Sequence, residues 1–160
     1  GPTITKWGRT NFWFNRSRFL ARHPRGEDNT IGCTADLLDR FHGSVVPARF
    51  WNETSDFLDT KTGHIAVDRD SGAAAALAFA AYLDDTFLEI GVETLPRFQG
   101  RGYARSACAR LIHDCLDRGL TPVWSCRTEN KGSFRLAESL GFVPVLQLPY
   151  YELPWSESVG

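Results

Sequence analysis

The sequence predicts a single mixed α/β domain with helices packed on a sheet. Three observations carry that prediction. A chain of 160 residues, 42% of them apolar, holds enough hydrophobic content for one sizeable core but not for two ordinary domains. Apolar residues recur at a helical period in two late stretches, and short strand-like runs bounded by turn residues flank them. From about residue 65 onward the order reads β-β-β-α-β-α-β.

The first thirty residues carry six basic residues (Lys6, Arg9, Arg16, Arg18, Arg22 and Arg25) against Glu27 and Asp28, interleaved with Trp7, Phe12, Trp13 and Phe14. Basic residues alternating with aromatics suit stacking on nucleic acid. They equally suit a strand or arm whose aromatics pack on the core, on a neighbouring domain or on a second copy of the chain. A net charge of −1 argues against a protein that works by neutralising phosphate backbones, so packing is the expected role. From Thr34 to Phe57 the residues Leu37, Leu38, Phe41, Val45, Val46, Phe50, Trp51 and Phe57 fall mostly at helical spacing. Gly43 and Pro47 are expected to end a first helix before a second begins near Trp51.

Ile65 to Asp68 and Phe87 to Leu95 read as strands, with turn signals at Asp70-Ser71-Gly72 and Asp84-Asp85. Between them, Ala73 to Tyr82 is a conflict: alanine favours helix, but the flanking turns favour a strand, and its length and context predict a strand. After Gly102, residues Ala104, Ala107, Cys108, Leu111, Ile112, Cys115 and Leu116 form one apolar helical stripe, with Gly119 as its stop. Pro122 to Cys126 then reads as a buried strand, Ser133 to Leu140 as a short helix, and Phe142 to Leu148 as a last strand. His113 is expected to be a surface or packed residue, and Trp124 either core or a wall of a cleft.

Composition excludes several classes. The apolar run from Ala73 to Leu83 is well short of the roughly 18 residues of a membrane span. Cys33, Cys108, Cys115 and Cys126 show no C-x-x-C or metal-ligand spacing, so no metal site is expected. As reduced, buried thiols they suggest a cytoplasmic protein. The chain contains no methionine and begins Gly1-Pro2, the scar expected of a cleaved tag, and is read as a domain excised from a longer protein.

The segment Gln99-Gly100-Arg101-Gly102-Tyr103-Ala104 sits between a strand and a helix. Glycines at that junction let successive N–H groups converge, and the helix N-terminus adds positive potential, so the pair suits a pyrophosphate without a lysine. The alternative is a tight connection and nothing more. Arg97, Arg101 and Arg105 add charge around it. Neither the P-loop pattern nor the dinucleotide G-x-G-x-x-G is present, since Arg105 stands where the latter needs its third glycine.

Here the sequence resembles the GNAT superfamily of acyl-CoA-dependent N-acyltransferases. Glu89 to Ala104 looks like its strand-loop-helix signature, with Gln99, Gly102 and Ala104 on the Q/R-x-x-G-x-G/A pattern. Asn130-x-x-Ser133-x-x-Leu136-Ala137-x-x-Leu140-Gly141-Phe142 resembles the later helix and its G-F ending. The match covers residues 63–151, and Gly43 to Trp51 with Asp56-Phe57-Leu58 is similar to the bacterial branch that includes zwittermicin-resistance acetyltransferases. The resemblance implies a mostly antiparallel central sheet flanked by helices, and acetyl transfer from acetyl-CoA to a small-molecule amine, an amino-containing antibiotic among the acceptors. It also implies site roles. Backbone amides of Gln99, Gly100, Arg101, Gly102, Tyr103 and Ala104 would hold the pyrophosphate, the backbone of Thr94 and Leu95 would pair with the pantetheine arm, and Asn130 would fix that arm. Ala137 stands where many relatives place an acidic tyrosine, with Ser133 as the substitute beside the sulfur. Its alternative role is a polar residue in the first helical turn with Asn130 as N-cap.

Glu89 and Glu93 share one strand face, being four residues apart at a period of two. Either can take a proton from the attacking amine, with Glu93, nearer the loop, favoured; the pair can instead only attract a cation. Two other functions stay open: a non-catalytic acyl-CoA-binding or interaction domain, suggested by Ala137, and acetylation of a protein or aminoacyl-tRNA amine, with residues 1–30 contacting the partner.

Overall fold

Seven strands make one sheet in the order β2-β3-β4-β5-β6-β1-β7, where β1 is Thr5–Phe14, β2 Thr30–Gly32, β3 Gly63–Val67, β4 Ala74–Leu83, β5 Phe87–Thr94, β6 Thr121–Arg127 and β7 Phe142–Glu152. Every neighbouring pair is antiparallel except β5 with β6. That parallel step is closed by a helical crossover, α4 (Tyr103–Asp117). The other helices are α1 (Arg16–Arg22), α2 (Ala35–Leu38), α3 (Thr54–Thr60) and α5 (Lys131–Ser139). The computed structural model describes residues 5–152 and the side chains of residues 8–145. Gly1-Pro2 and the side chains of Lys6 and Trp7 lie outside the described residues.

The alanine run is a strand, and its composition has a packing reason. Successive side chains of β4 alternate between faces. Ala76, Ala78 and Ala80 join the core beneath α4, while Leu77 and Phe79 join a second core with Phe41, Phe57 and Ile65 on the opposite face. Small residues toward α4 let the helix lie close to the sheet centre. Its stripe of Ala107, Cys108, Leu111, Ile112 and Cys115 is buried as the period predicts.

One local expectation is met, one is adjusted, and one strand has no counterpart in the sequence reading. The basic, aromatic N-terminal segment is a strand followed by a helix. Strand β1 is enclosed between β6 and β7, with Phe12 buried, and Asn15 caps α1 by accepting the Arg18 N–H at 3.0 Å. The stretch from Thr34 to Phe57 holds two helices as expected, but α2 is only four residues long, a 3-10 turn at Pro47–Arg49 lies between them, and α3 starts three residues after Trp51. Trp51 itself donates its indole N–H to the Ala80 carbonyl at 2.7 Å, fixing the connection on the sheet. Strand β2, three residues long at the sheet edge, carries too little pattern to be read locally.

His113 is a packed histidine: it is buried, its ring 4.8 Å from Phe19, and its Nε2 meets the His23 carbonyl at 2.8 Å. Burial pushes the Cys33 and Cys115 thiols up to about 12, so they stay protonated. Among the described residues no helix is long and apolar enough to cross a membrane, and no group of three His, Cys, Asp or Glu side chains is placed to hold a metal ion.

Candidate active site

The site begins where two parallel strands part. β5 and β6 pair only over Phe87–Glu89 with Thr121–Val123. Beyond that register they diverge around a cleft of about 1150 Å³, with Ile90 to Thr94 on one wall and Trp124 to Arg127 on the other. Backbone groups on the facing edges no longer serve a sheet ladder there, so they suit a linear polar ligand laid between the strands.

The cleft ends on the loop into α4. A 3-10 turn, Pro96–Phe98, buries Phe98 and leads to Gly100 (φ 75°) and Gly102 (φ 83°), both left-handed. Open space surrounds the position a Gly100 side chain would occupy. That backbone and the first turn of α4 present N–H groups without intrahelical partners. Gln99, Gly100, Gly102, Tyr103 and Ala104 line the cleft with Arg105, as does Thr94.

Two predicted binding residues stand apart. Leu95 does not line the cleft: its N–H donates to the Ala75 carbonyl and its carbonyl accepts the Phe98 N–H, each at 2.9 Å, so that backbone is committed to the protein. The Arg101 side chain is drawn out of the loop to Asp68, 3.4 Å away. Asp68 also accepts the Tyr103 hydroxyl and the hydroxyl and N–H of Ser71. The Ser71 and Tyr103 hydrogen bonds outweigh burial and hold the Asp68 carboxyl down at about 2, with the Arg101 charge helping. A buried carboxylate therefore anchors both flanks of Gly102.

The two glutamates separate. Glu93 lines the cleft, and its Oε2 accepts the Val45 N–H at 3.0 Å. A Cβ on Gly43 would fall 1.7 Å from Glu93 Oε1, so the carboxylate occupies the space a side chain there would need. Glu89 points to the same face but lies where the strands are still paired, outside the cleft lining. The Gly43–Val45 contact was not readable in the sequence, because it joins segments 48 residues apart.

At Ser133 the capping contact is present and the side chain lines the cleft. Asn130 caps α5 by accepting the Ser133 N–H at 3.0 Å. The Ser133 hydroxyl accepts from the Trp124 indole N–H at 3.2 Å, and because that group only donates, the serine proton is left to point elsewhere. Both residues and Asn130 line the cleft. Trp124 is at once core and cleft wall. Burial raises the neighbouring Cys126 thiol, offset in part by a hydrogen bond donated by Ser133. Ala137 is fully buried in the core beneath α5 and does not reach the cleft.

A family model described as GNAT acetyltransferase matches residues 34–151. The chain belongs to the GNAT acetyltransferase family. No curated protein sequence matches it significantly. Among solved structures, a GCN5-related N-acetyltransferase-like protein from Streptococcus suis superposes with a TM-score of 0.69 at 23% identity, over 94% of this chain and 62% of that one. A GNAT acetyltransferase from Colwellia psychrerythraea gives 0.68 at 14%, over 94% of this chain and 57% of that one. This GNAT chain thus spans less than two thirds of either. An aminoglycoside N-acetyltransferase in complex with CoA gives 0.52 at 19% identity, over 95% of both chains. At these identities the likenesses establish the shared fold.

Proposed function

We propose that this GNAT domain transfers an acetyl group from acetyl-CoA to a primary amine of a small molecule. The observation that carries the reading is the splayed β5/β6 cleft ending on the left-handed Gly100-Gly102 loop at the start of α4. The donor set fits the cofactor: converging N–H groups and Arg105 suit phosphates, and the open strand edges suit an amide-bearing arm. Gly100, Gly102, Tyr103, Ala104 and Arg105 would hold the pyrophosphate, and Thr94 and Asn130 the pantetheine. Bound acetyl-CoA supplies an acyl group activated as a thioester.

The chain's own groups handle the protons. The acceptor must present a neutral amine, and Glu93, the carboxylate on the cleft wall, takes its proton directly or through water. Glu89, further down the same face, attracts the cation toward the cleft. Ser133, its lone pair engaged by Trp124, turns its hydroxyl proton from Cys126 toward negative charge at the sulfur end. Ile90, Val92 and Trp124 give that region apolar walls, which strengthen such interactions.

The acceptor reading rests on the Gly43–Trp51 resemblance to zwittermicin-resistance enzymes and on the fold shared with an aminoglycoside acetyltransferase, which together favour an amino-containing antibiotic. One observation favours a second reading, a domain that binds acyl-CoA without turnover: Ala137 is buried and supplies no acid. Calorimetric titration with acetyl-CoA, followed by thiol release with a panel of amines, separates them. Binding with release supports transfer, binding without release supports the second reading, and no binding at tens of micromolar sinks both.

A further inference from the structure

The sheet face opposite α4 changes character at the cleft. Over β2 to β5 it is covered by α2, α3 and the Pro47–Arg49 turn through the core around Phe57 and Phe79; among the described residues that core contains none from β6, β1 or β7. On β1 and β6, Thr10, Phe12, Trp124 and Cys126 point toward α4 and α5, so Arg9, Asn11, Ser125 and Arg127 point to the opposite face. That is the face from which Glu93 borders the cleft.

Arg9 and Arg127 are direct partners in the β1/β6 register. Like charges placed opposite one another destabilise a strand pair. Arg9 donates to Ser125 Oγ at 2.7 Å, and among the described residues no carboxylate pairs with it. Glu129, the nearby acid on which the Arg127 charge acts, is engaged by the Gly8 N–H at 2.9 Å. Ser125 and Arg127 line the cleft, and Arg9 reaches it through Ser125. Across the opening stands Glu93. The site therefore has a negative wall and a positive wall on one face, with the splay between them.

Resting on the transferase reading above, we infer that the acceptor is an amine that also carries an anion, a carboxylate or a phosphate, and that Arg9, with Ser125 and Arg127, binds that anion while Glu93 receives the amine. The opposed walls then orient the acceptor, with its amine toward the cleft and its anion over β1. A planar guanidinium already steadied by a hydroxyl is pre-organised for an oxyanion.

The test uses pairs of amines that differ only in the anion: amino acids and dipeptides as free acids against their C-terminal amides, and phosphoethanolamine against ethanolamine. With the full chain and saturating acetyl-CoA, the anionic member of at least one class of pair is expected to show kcat/KM about tenfold higher or more. The first class would identify a carboxylate, the second a phosphate. In R9M that preference is lost, while the acetyl-CoA dissociation constant and the melting midpoint are unchanged. Parity within all pairs, or a preference that survives in R9M, overturns the inference and leaves acetyl transfer standing. If no amine releases CoA, the transferase reading fails by itself. Calorimetric binding of the same pairs to the CoA-loaded protein then decides: an anion preference that R9M removes supports the anion site, and its absence overturns it.

Discussion

Glu93 Oε2 holds the Val45 N–H, and its carboxylate packs over Gly43, so the residue positions the Gly43–Val45 loop as well as bordering the cleft. Substitution by glutamine separates the two duties, because an amide oxygen still accepts the Val45 N–H but takes no proton at neutral pH. Glu93→Gln is expected to lower kcat by about 10²-fold, the scale of a lost general base, with little change in melting midpoint or acetyl-CoA affinity. Glu93→Ala should additionally lower the midpoint; equal kcat in wild type and Glu93→Gln would remove Glu93 from proton transfer. Ser133 divides in the same way. Its N–H is capped by Asn130 whatever its side chain, so Ser133→Ala keeps the helix start and loses only the hydroxyl that Trp124 orients. Turnover should fall about tenfold with KM for acetyl-CoA nearly unchanged, as single-turnover kinetics would show. The glutamate pair and Ser133 were legible in the sequence, since strand period and the Asn130-x-x-Ser133 spacing are local. Which glutamate borders the cleft was assigned from nearness to the loop, and its tie to Val45 was not legible.

At the scale of elements, the loop before α4 is held from outside by Asp68, one residue beyond β3, through Tyr103 and Arg101. Asp68→Asn should leave the fold intact, remove the charge that holds Arg101, loosen the contact to Tyr103 and weaken acetyl-CoA binding several-fold in calorimetry, without altering the amine dependence. Acidification gives a second reading of the same contact. The folded carboxyl sits at about 2 against an ordinary 3.8, so its contribution to stability is full above the ordinary value. It is lost as pH falls through 3.8 toward 2. Melting midpoints of wild type and Asp68→Asn should therefore converge over that window. The Gly100-Gly102 loop was readable because left-handed backbone leaves glycine as its sign; Asp68 was not, since 35 residues separate it from Tyr103. The shortness of α2 and the 3-10 turn before α3 were not legible for a related reason. Leu37, Phe41, Val46 and Trp51 are apolar at helical intervals because they cover one sheet face, and a wrapped loop can meet that demand as well as a helix can.

For the whole molecule, the core depends on how closely α4 approaches the sheet. Ala78, fully buried on the α4 face of β4, is the place to test it. Ala78→Leu keeps strand propensity but adds volume where none is free, and should cost about 1–3 kcal/mol. Denaturant melts would show a lower midpoint at unchanged slope; no loss would mean that α4 can lift from the sheet without penalty. The sequence alone determined which segments are strands and helices from Gly63 onward, the place of the glycine loop, and the burial of Cys108 and Cys115. Each depends on neighbours a few residues away, through side-chain period, left-handed backbone and capping. Only the tertiary structure decided that β1 inserts between β6 and β7, that β5 and β6 part beyond Glu89 and Val123, and that Glu93 ends on one wall and Ser125, held by Arg9, on the other. Those outcomes are set by pairings between segments up to 116 residues apart, whose energy exists only once the sheet has assembled and so leaves no local mark on the chain.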